Sequence, residues 1–276
     1  MGLVTQLSMP LSATAVRPAA VAGAFYPGNA LQLAQQVDAL LSQAADPHVR
    51  PKALIVPHAG YAYSGPVAAS AYAAVAAMNP KPTRVVLLGP SHHVGFKGVA
   101  LPGTHALATP LGLVEVDERL VDLALKFPFV GASPLAHKRE HSLEVQLPFL
   151  QRALGSFKVL PMIVGHVLPE DIADLLASVW GGPETLVVVS SDLSHYLPFD
   201  EARAADANTA ERVAALDAEH LTPDRICGAE PVRGLLVAAK AHHLDARVLD
   251  LRNSGETAGD RARVVGYGAF AFCSVD

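Results

Sequence analysis

The sequence predicts an α/β fold with one central sheet, because three short apolar runs each lead within a few residues into histidine. The runs and their histidines are 53–56 with His58, 85–88 with His92, and 186–189 with His195. Unbroken runs of apolar, mostly β-branched residues are typical of parallel strands that are buried on both faces. Ligands of such sheets bind beyond the carboxyl ends of the strands. If the three strands are neighbours, the histidines meet at one edge of the sheet and form a candidate metal site.

Helical and strand patterns alternate along the first half of the chain. Apolar residues at positions 33, 37, 40 and 41 have helical spacing, so we predict a helix over 31–41. The run from Ala53 leads through a loop into an Ala-rich helix, with Ser64 expected as its cap and Pro66 near its first turn. The other elements predicted in this half are a strand over 84–88, shorter strands around 98–101 and 112–116, and a helix over 117–126.

The second half continues the alternation. A helix is predicted from His141 to Leu154, and Pro148 is expected to kink it because proline lacks a backbone N–H donor. The further predicted elements are a strand over 158–164, helices over 169–180, 199–216 and 231–241, and two final strands over 246–251 and 264–273. Since no repeat or linker divides the chain, we expect one domain over 16–276, preceded by a loose extension over 1–15.

Composition excludes several classes of function. Of the 276 residues, 51% are hydrophobic and 17% charged, which suits a folded protein with a sizeable core. A net charge of -5 without a basic run argues against nucleic-acid binding. No apolar stretch is long enough to cross a membrane, and residues 1–15 lack the Lys or Arg of a secretory signal. Two cysteines, Cys227 and Cys273, cannot form a disulfide framework, which favours a reducing cytoplasm.

His58 and His92 are the first candidate site residues. Each follows a buried strand and lies in a loop that contains Gly and Pro, where a side chain can face a crevice in a fixed position. A single histidine in such a loop more often caps the loop by hydrogen bonding to the backbone. Several histidines at matching strand ends favour a ligand site instead.

Asp192 and His195 come from the third strand end. A carboxylate three residues from an imidazole can orient the ring or bind metal itself, and His195 can act as an acid or base because imidazole titrates near neutrality. The alternative is that Asp192 or Ser194 caps a following helix.

His141 and Glu144 are three residues apart, which places them on one face of the predicted 141–154 helix. They could form a ligand pair or support the other histidines by hydrogen bonding. Equally, Glu140 and His141 could be a solvated helix start, because acidic groups are favourable at that end.

Cys227 precedes a helix whose predicted first turn holds Pro231. A thiol near a helix N-terminus can have a lowered pKa, and thiolate is a soft ligand for iron, copper or zinc. The commoner role of cysteine is apolar burial, which we expect for Cys273. The remaining histidines treated as surface or structural are His105, His137, His166, His220, His242 and His243.

Six ordered motifs resemble those of the Memo family, whose bacterial and archaeal members are called AmmeMemoRadiSam system protein B. The motifs are Phe25-Tyr26-Pro27, Pro57-His58-Ala59-Gly60-Tyr61, Gly89-Pro90-Ser91-His92-His93, His141-Ser142-Leu143-Glu144, Ser190-Ser191-Asp192 with His195, and Ile226-Cys227-Gly228. The resemblance covers nearly the whole chain from about Arg17 onwards.

The resemblance implies a fold like that of the LigB-type class III extradiol dioxygenases, a three-layer sandwich with a largely parallel or mixed central sheet. Carried over by motif, the metal ligands fall on His58, His92 and Cys227. The residues that line the same pocket would be His141, Glu144, Asp192 and His195. Extradiol dioxygenases hold Fe(II) with two histidines and a carboxylate. Because a cysteine takes the third position here, the dioxygenase reaction cannot simply be transferred.

Three functions follow as alternatives. The first is a metal-dependent oxidoreductase with Fe(II), or with copper, in which His195 is the acid or base while Asp192 and Glu144 orient the rings. The second is a non-catalytic binding or adaptor module that uses the pocket for a metal, a peptide or a small anion. The third is a hydrolase with zinc-bound water. The resemblance also implies partner proteins of the AMMECR1-like and radical-SAM kinds.

Overall fold

A mixed β-sheet forms the centre of the molecule. A computed structural model describes residues 12–274, and the side chains of residues 15–274. Its strands are β1 (Ser12–Arg17), β2 (Ala53–Val56), β3 (Arg84–Pro90), β4 (Val99–Leu101), β5 (Thr104–Thr109), β6 (Gly112–Val116), β7 (Val130–Ala132), β8 (Lys158–Val164), β9 (Thr185–Ser190), β10 (His195–Leu197), β11 (Leu244–Asn253) and β12 (Val264–Ser274). Its helices are α1 (Ala30–Gln43), α2 (Tyr61–Ala76), α3 (Glu118–Ala124), α4 (Pro134–Lys138), α5 (Gln146–Leu154), α6 (Pro169–Val179), α7 (Phe199–Ala214), α8 (Ala229–Ala241) and α9 (Ser254–Thr257).

The middle of the sheet is parallel, and an antiparallel pair adjoins it on each side, β5 with β6 and β2 with β12. Hydrogen-bonded neighbours follow the order β1-β5-β6-β8-β3-β9-β2-β12-β10, and β6, β8, β3, β9 and β2 all run the same way. β12 is antiparallel to β2, and β11 is antiparallel to β12. The predicted α/β class with a largely parallel, mixed sheet is therefore confirmed.

Helices cover both faces of the sheet. Every residue of β2 and β9 is buried, and successive side chains of a strand point to opposite faces, so neither face is open to solvent. α1, α2 and α5 pack on one another, with α2 against β2 and β12. α6 packs on α8, and α8 packs against β3 and β9. The strand ends are left as the place where loops and side chains can converge.

The start of α2 differs from the prediction. The helix begins at Tyr61, whose backbone N–H donates to the carbonyl of Phe25, so a contact distant in sequence sets its position. Ser64 is not the cap, since its hydroxyl donates to the carbonyl of Ala59. Pro66 lies inside the helix and not in its first turn.

The start of α5 also differs. Residues 142–145 form turns, and the regular helix begins only at Gln146. Pro148 is therefore in the first turn, where a missing backbone donor costs nothing, and the predicted kink is wrong. For the same reason His141 and Glu144 do not share a helix face.

Residues at the amino terminus were expected to form a loose extension over 1–15. Residues 12–15 belong to β1, which pairs in parallel with β5, and the rest of that expectation lies outside the described residues. The short elements β5, β7, β10, α4 and α9 were not predicted. None of the helices within 12–274 combines the length and apolar character needed to cross a membrane.

The crossing of α6 and α8 provides a test of the packing. A Cβ atom at Gly234 of α8 would lie 2.2 Å from Cγ2 of the buried Ile172 in α6. Gly234→Ala should lower the free energy of unfolding by about 1–3 kcal/mol, because overpacking outweighs the gain in helix propensity. Denaturant unfolding measures this. Gly131→Ala is the control, since its Cβ would meet nothing within 4 Å; equal stability of the two variants would contradict the close crossing.

Candidate metal centre

Three histidines meet at the carboxyl ends of the parallel strands. His58 follows β2 and His92 follows β3, and these two strands lie on either side of β9. His141 reaches the same place from the turns that precede α5. One ligand atom from each of the three residues lies within 4.8 Å of the others, so this group could hold one metal ion.

His58 is held in a single tautomer by its neighbours. The Ser190 hydroxyl donates to the Ser142 carbonyl at 2.6 Å and accepts from the Gln146 side-chain amide at 2.9 Å. Its only proton is therefore in use, so it accepts at 3.0 Å from Nδ1 of His58. Nε2 is left without a proton, as a metal ligand requires.

Burial keeps the His58 ring neutral. The residue is 2% exposed. Burial, followed by the nearby charge of His92, lowers the pKa of His58 to about 3. An ion that approaches this ring at neutral pH therefore meets a free lone pair and not a proton.

His92 is oriented by a buried carboxylate. Its Nδ1 donates to Oε1 of Glu140 at 2.7 Å, and its backbone N–H donates to Oε2 at 2.6 Å. Glu140 is 1% exposed, and its Oε1 also accepts from the backbone N–H groups of His141 and Ser142. Burial opposes charge on His92, but hydrogen bonds with Cys227 and Glu140 outweigh it and raise the pKa to about 10. The pKa of Glu140 is lowered in spite of burial, mainly by its hydrogen bond from His92.

His141 is packed between aromatic rings. Its imidazole stacks on His92 with 4.4 Å between centroids, and Phe25 lies 4.7 Å away, tilted by 43°. The His58 ring is edge-on at 5.5 Å. Burial, followed by the charges of His58 and His92, lowers the pKa of His141 to about 4. The His141 ring is therefore neutral, like that of His58, and fixed in orientation.

Cys227 touches the group through one histidine. Its Sγ atom lies 3.2 Å from Nε2 of His92. Backbone contacts bring it there, because its N–H donates to the Asp192 carbonyl and the N–H of Gly228 donates to the Ser191 hydroxyl. A Cβ at Gly228 would lie 3.0 Å from the Ser190 carbonyl oxygen, which leaves little space for a side chain. The choice of Cys227 with His58 and His92 as ligands stays a prediction.

Asp192 lies beside His58. One carboxylate oxygen accepts from the backbone N–H of His58 at 2.7 Å, and the other lies 3.9 Å from Nε2 of the same residue. Burial raises the pKa of Asp192. No helix begins between Asp192 and His195 in the described chain, so the alternative of a helix cap is wrong.

His195 lies at the rim of the site. Its Nδ1 is 2.9 Å from the Leu193 carbonyl, which can only accept, so Nδ1 carries the proton and Nε2 is free. The residue is exposed and begins β10, which pairs with β12. His195 acts electrostatically on both His58 and Asp192, which places it within reach of the centre.

Glu144 is directed away from the histidines and holds the amino-terminal segment. Its fully buried carboxylate accepts from the Arg17 guanidinium, the Ala20 and Val21 backbone N–H groups and the Tyr26 hydroxyl. Arg17 also donates to the carbonyls of residues 137 and 140. This clamp fixes the segment that carries Phe25 against the His141 ring.

Sequence reasoning missed the residues that orient the ligands. Glu140 was treated as part of a solvated helix start, although it contacts His92 with both oxygens. Ser190 and Gln146 carried no signal of their own. A polar serine at the end of an otherwise apolar strand was the available hint for Ser190.

The fold and the site together define an α/β protein with a possible metal centre of three histidines at the carboxyl edge of its sheet. The sequence signature of the Memo-like protein family matches residues 17–271. The chain belongs to this family.

Relatives extend over almost the whole chain. A MEMO1 family protein of Aquifex aeolicus (strain VF5) is 40% identical over 263 residues, which cover 91% of this chain and 97% of the relative. A MEMO1 family protein of Nitrosopumilus maritimus (strain SCM1) is 33% identical, with 93% and 99% covered. An uncharacterized protein of Escherichia coli K12, known from its crystal structure, aligns with a TM-score of 0.48 at 14% identity, covering 78% of this chain and 98% of that chain.

The Glu144 clamp provides a second test. Glu144→Gln removes one partner of a buried ion pair and should lower the free energy of unfolding by about 3–5 kcal/mol. Chemical denaturation measures the loss. The matched control is Glu115→Gln, which removes a solvent-exposed partner of Lys158 and should have little effect. If both variants were as stable as the parent, the clamp would have no structural role.

Proposed function

We propose that this Memo-family protein is a metal-dependent oxidoreductase, related in its centre to class III extradiol dioxygenases, that uses Fe(II) or copper. The observation that carries the proposal is the fixed orientation of His58 and His92. Ser190 and Glu140 occupy their Nδ1 atoms, which leaves the Nε2 atoms for an ion, and one ligand atom from each of these two rings and from His141 lies within 4.8 Å of the others. Imidazole suits iron, copper and zinc.

The donor set fits a metal ion. Ligand nitrogens bind at about 2.0–2.1 Å, so two that share an ion lie at most about 4.2 Å apart. The spacing of up to 4.8 Å within the group needs only a small closure. Both Nδ1 atoms are supported by hydrogen bonds of the kind that orient metal-bound histidines. His92 would lose a proton on binding, because imidazole ligates in its neutral form.

Two ligand sets share His58 and His92. The third ligand is His141 in one set and Cys227 in the other, and the resemblance to the family favours Cys227. The thiol lies 3.2 Å from one ligand nitrogen, so it is close enough to join the ion after a modest movement. A bound iron or copper ion would supply redox chemistry, and a thiolate ligand would increase its electron density.

The other residues would transfer protons or hold the ligands in position. His195 has a free Nε2 at the rim, where it can take a proton from a substrate or return one. Asp192 holds the backbone of His58 with one oxygen and directs the other at the site. Glu140 orients His92, and the Glu144 clamp positions Phe25 beside His141.

A zinc-dependent hydrolase is the second candidate, because three histidine ligands with an open position are a typical catalytic zinc set. A binding module without turnover is the third alternative. We further propose action in the cytoplasm, beside AMMECR1-like and radical-SAM partners. The chain has two cysteines, too few for a disulfide framework, which supports a reducing compartment.

Metal content and spectra of full-length variants test the centre. Protein purified anaerobically should bind one equivalent of Fe(II) or Cu(II), and His58→Ala should abolish this. His105→Ala is the control, since it removes a histidine outside the group. A thiolate-to-metal charge-transfer band in the copper form that disappears in Cys227→Ser would assign the sulfur as a ligand. A band-free spectrum with metal lost in His141→Ala would assign the three-histidine set.

Oxygen uptake with catechols tests turnover. The oxidoreductase proposal predicts metal-dependent oxygen consumption that falls at least about 100-fold in His195→Ala, a typical effect of removing an acid or base. Bound iron or copper without oxygen consumption would overturn it in favour of the binding module. Zinc as the only bound metal, together with ester or amide cleavage, would favour the hydrolase.

The support from Glu140 gives a separate prediction. Glu140→Gln should weaken metal binding about 10- to 100-fold, because the residue that orients a ligand histidine contributes to affinity on that scale. Competition with a chelator of known affinity measures it. Glu118→Gln, which removes a carboxylate at the start of α3, should bind metal like the parent protein. Unchanged affinity in Glu140→Gln would remove Glu140 from the centre.

A further inference from the structure

A second concave site lies at the opposite end of the same strands. A cleft of about 700 Å³ opens beside the segments that enter β2 and β9 and the end of β12. We call it the basic cleft, and the residues used below are His48, Arg50, Lys52, Trp180, His242 and Arg247. Its volume lies within the range of small-molecule sites.

The permanent charges that line the basic cleft are all positive. Two arginines and one lysine face it together with two histidines, and no Asp or Glu is among the described residues that line it. Asp46 is outside this lining, and its carboxylate lies 3.3 Å from Nδ1 of His48. The whole chain has a net charge of -5, so the cleft differs in sign from the protein around it. Arg50 and Arg247 are exposed, and neither forms an ion pair with any residue whose side chain the structure describes. Their guanidinium donors remain available.

Lys52 builds one wall of the cleft. Its Nζ donates to the carbonyls of Trp180 at 2.6 Å, Gly182 at 2.8 Å and Thr185 at 2.8 Å. All three ammonium protons are used, while the positive charge remains. Burial lowers the pKa of Lys52 to about 8. The segment 180–185 is therefore fixed, and the partly buried positive charge of Lys52 lies behind it.

Trp180 is held on this wall by the His242 ring and the Lys52 ammonium group. Its indole stacks on the His242 ring with 4.1 Å between centroids and an interplanar angle of 3°, and Lys52 Nζ is 5.3 Å from the indole centroid. Non-glycine residues with positive φ flank the cleft at His48 and at His243, which follows His242. Such backbone strain persists only where surrounding contacts impose it.

We propose that the basic cleft binds a small molecule through a phosphate group. Like charges that share one cleft repel one another, and an anion placed between them removes that cost. Two free guanidiniums match the oxygen geometry of phosphate. The cleft is compact, and the sequence contains no Lys/Arg-rich run of the kind that follows a nucleic-acid backbone. This site is separate from the histidine centre, so it does not depend on the function proposed above.

Trp180 is the sole tryptophan of the chain and serves as a built-in probe. Inorganic pyrophosphate is titrated into the metal-free full-length protein at constant ionic strength while tryptophan fluorescence is recorded. The proposal predicts a saturable change, with affinity reduced at least about 10-fold in Arg50→Gln/Arg247→Gln. The matched control is Arg119→Gln/Arg225→Gln, which removes two exposed arginines elsewhere and should bind like the parent.

The outcomes separate the possibilities. A linear response, or equal binding by both double variants, would mean unspecific attraction and would overturn the proposal. A second arm uses citrate. If citrate binds as tightly as pyrophosphate and depends equally on the two arginines, the cleft takes carboxylates and the assignment to phosphate is wrong. Retained binding of Cu(II) by Arg50→Gln/Arg247→Gln is expected as well, because the histidine centre lies at the other end of the sheet.

Discussion

Parallel pairing of β9 with β2 on one side and with β3 on the other is the constraint on which the site depends. It aligns Val56 with Ser190 and Leu88 with Val189, so the three strands end at nearly the same level. The loops that follow must then share one small volume. Because the strands are packed on both faces, a shift in register would disrupt close packing on both, and the positions of the imidazoles follow from the stability of the core.

Two buried carboxylates fix the positions of residues that lie outside the sheet. Glu140 and Glu144 come from the same turns before α5 but serve different neighbours. Glu140 takes donors from His92 and two backbone N–H groups, while Glu144 takes donors from the amino-terminal segment. A buried carboxylate is stable only when its oxygens are satisfied. Each therefore fixes the groups around it as firmly as a packed apolar side chain would.

The sequence was sufficient for the strands and their histidines, because burial on both faces leaves a simple apolar pattern. It was insufficient where a distant contact decides the outcome. The start of α2 is set by a backbone hydrogen bond from Tyr61 to Phe25, and helix propensities carry no information about this contact. Before α5, Oε1 of Glu140 accepts the backbone N–H groups of His141 and Ser142, and the chain forms turns where a continuous helix was the wrong expectation. Ser190 and Gln146 act through their hydrogen bonds. A pattern of residue types does not reveal to which acceptor the Ser190 hydroxyl donates its proton.

The backbone around Gly228 has a consequence for the sulfur next to it. A Cβ atom at residue 228 would lie 3.0 Å from the Ser190 carbonyl oxygen, so glycine lets this backbone lie close to the end of β9, and Cys227 lies next to it. The position of the thiol is thus set by main-chain contacts and not by an ion. Its loss of rotational and translational freedom occurs during folding, so an arriving ion would find the sulfur already in place and would bind without that entropic penalty.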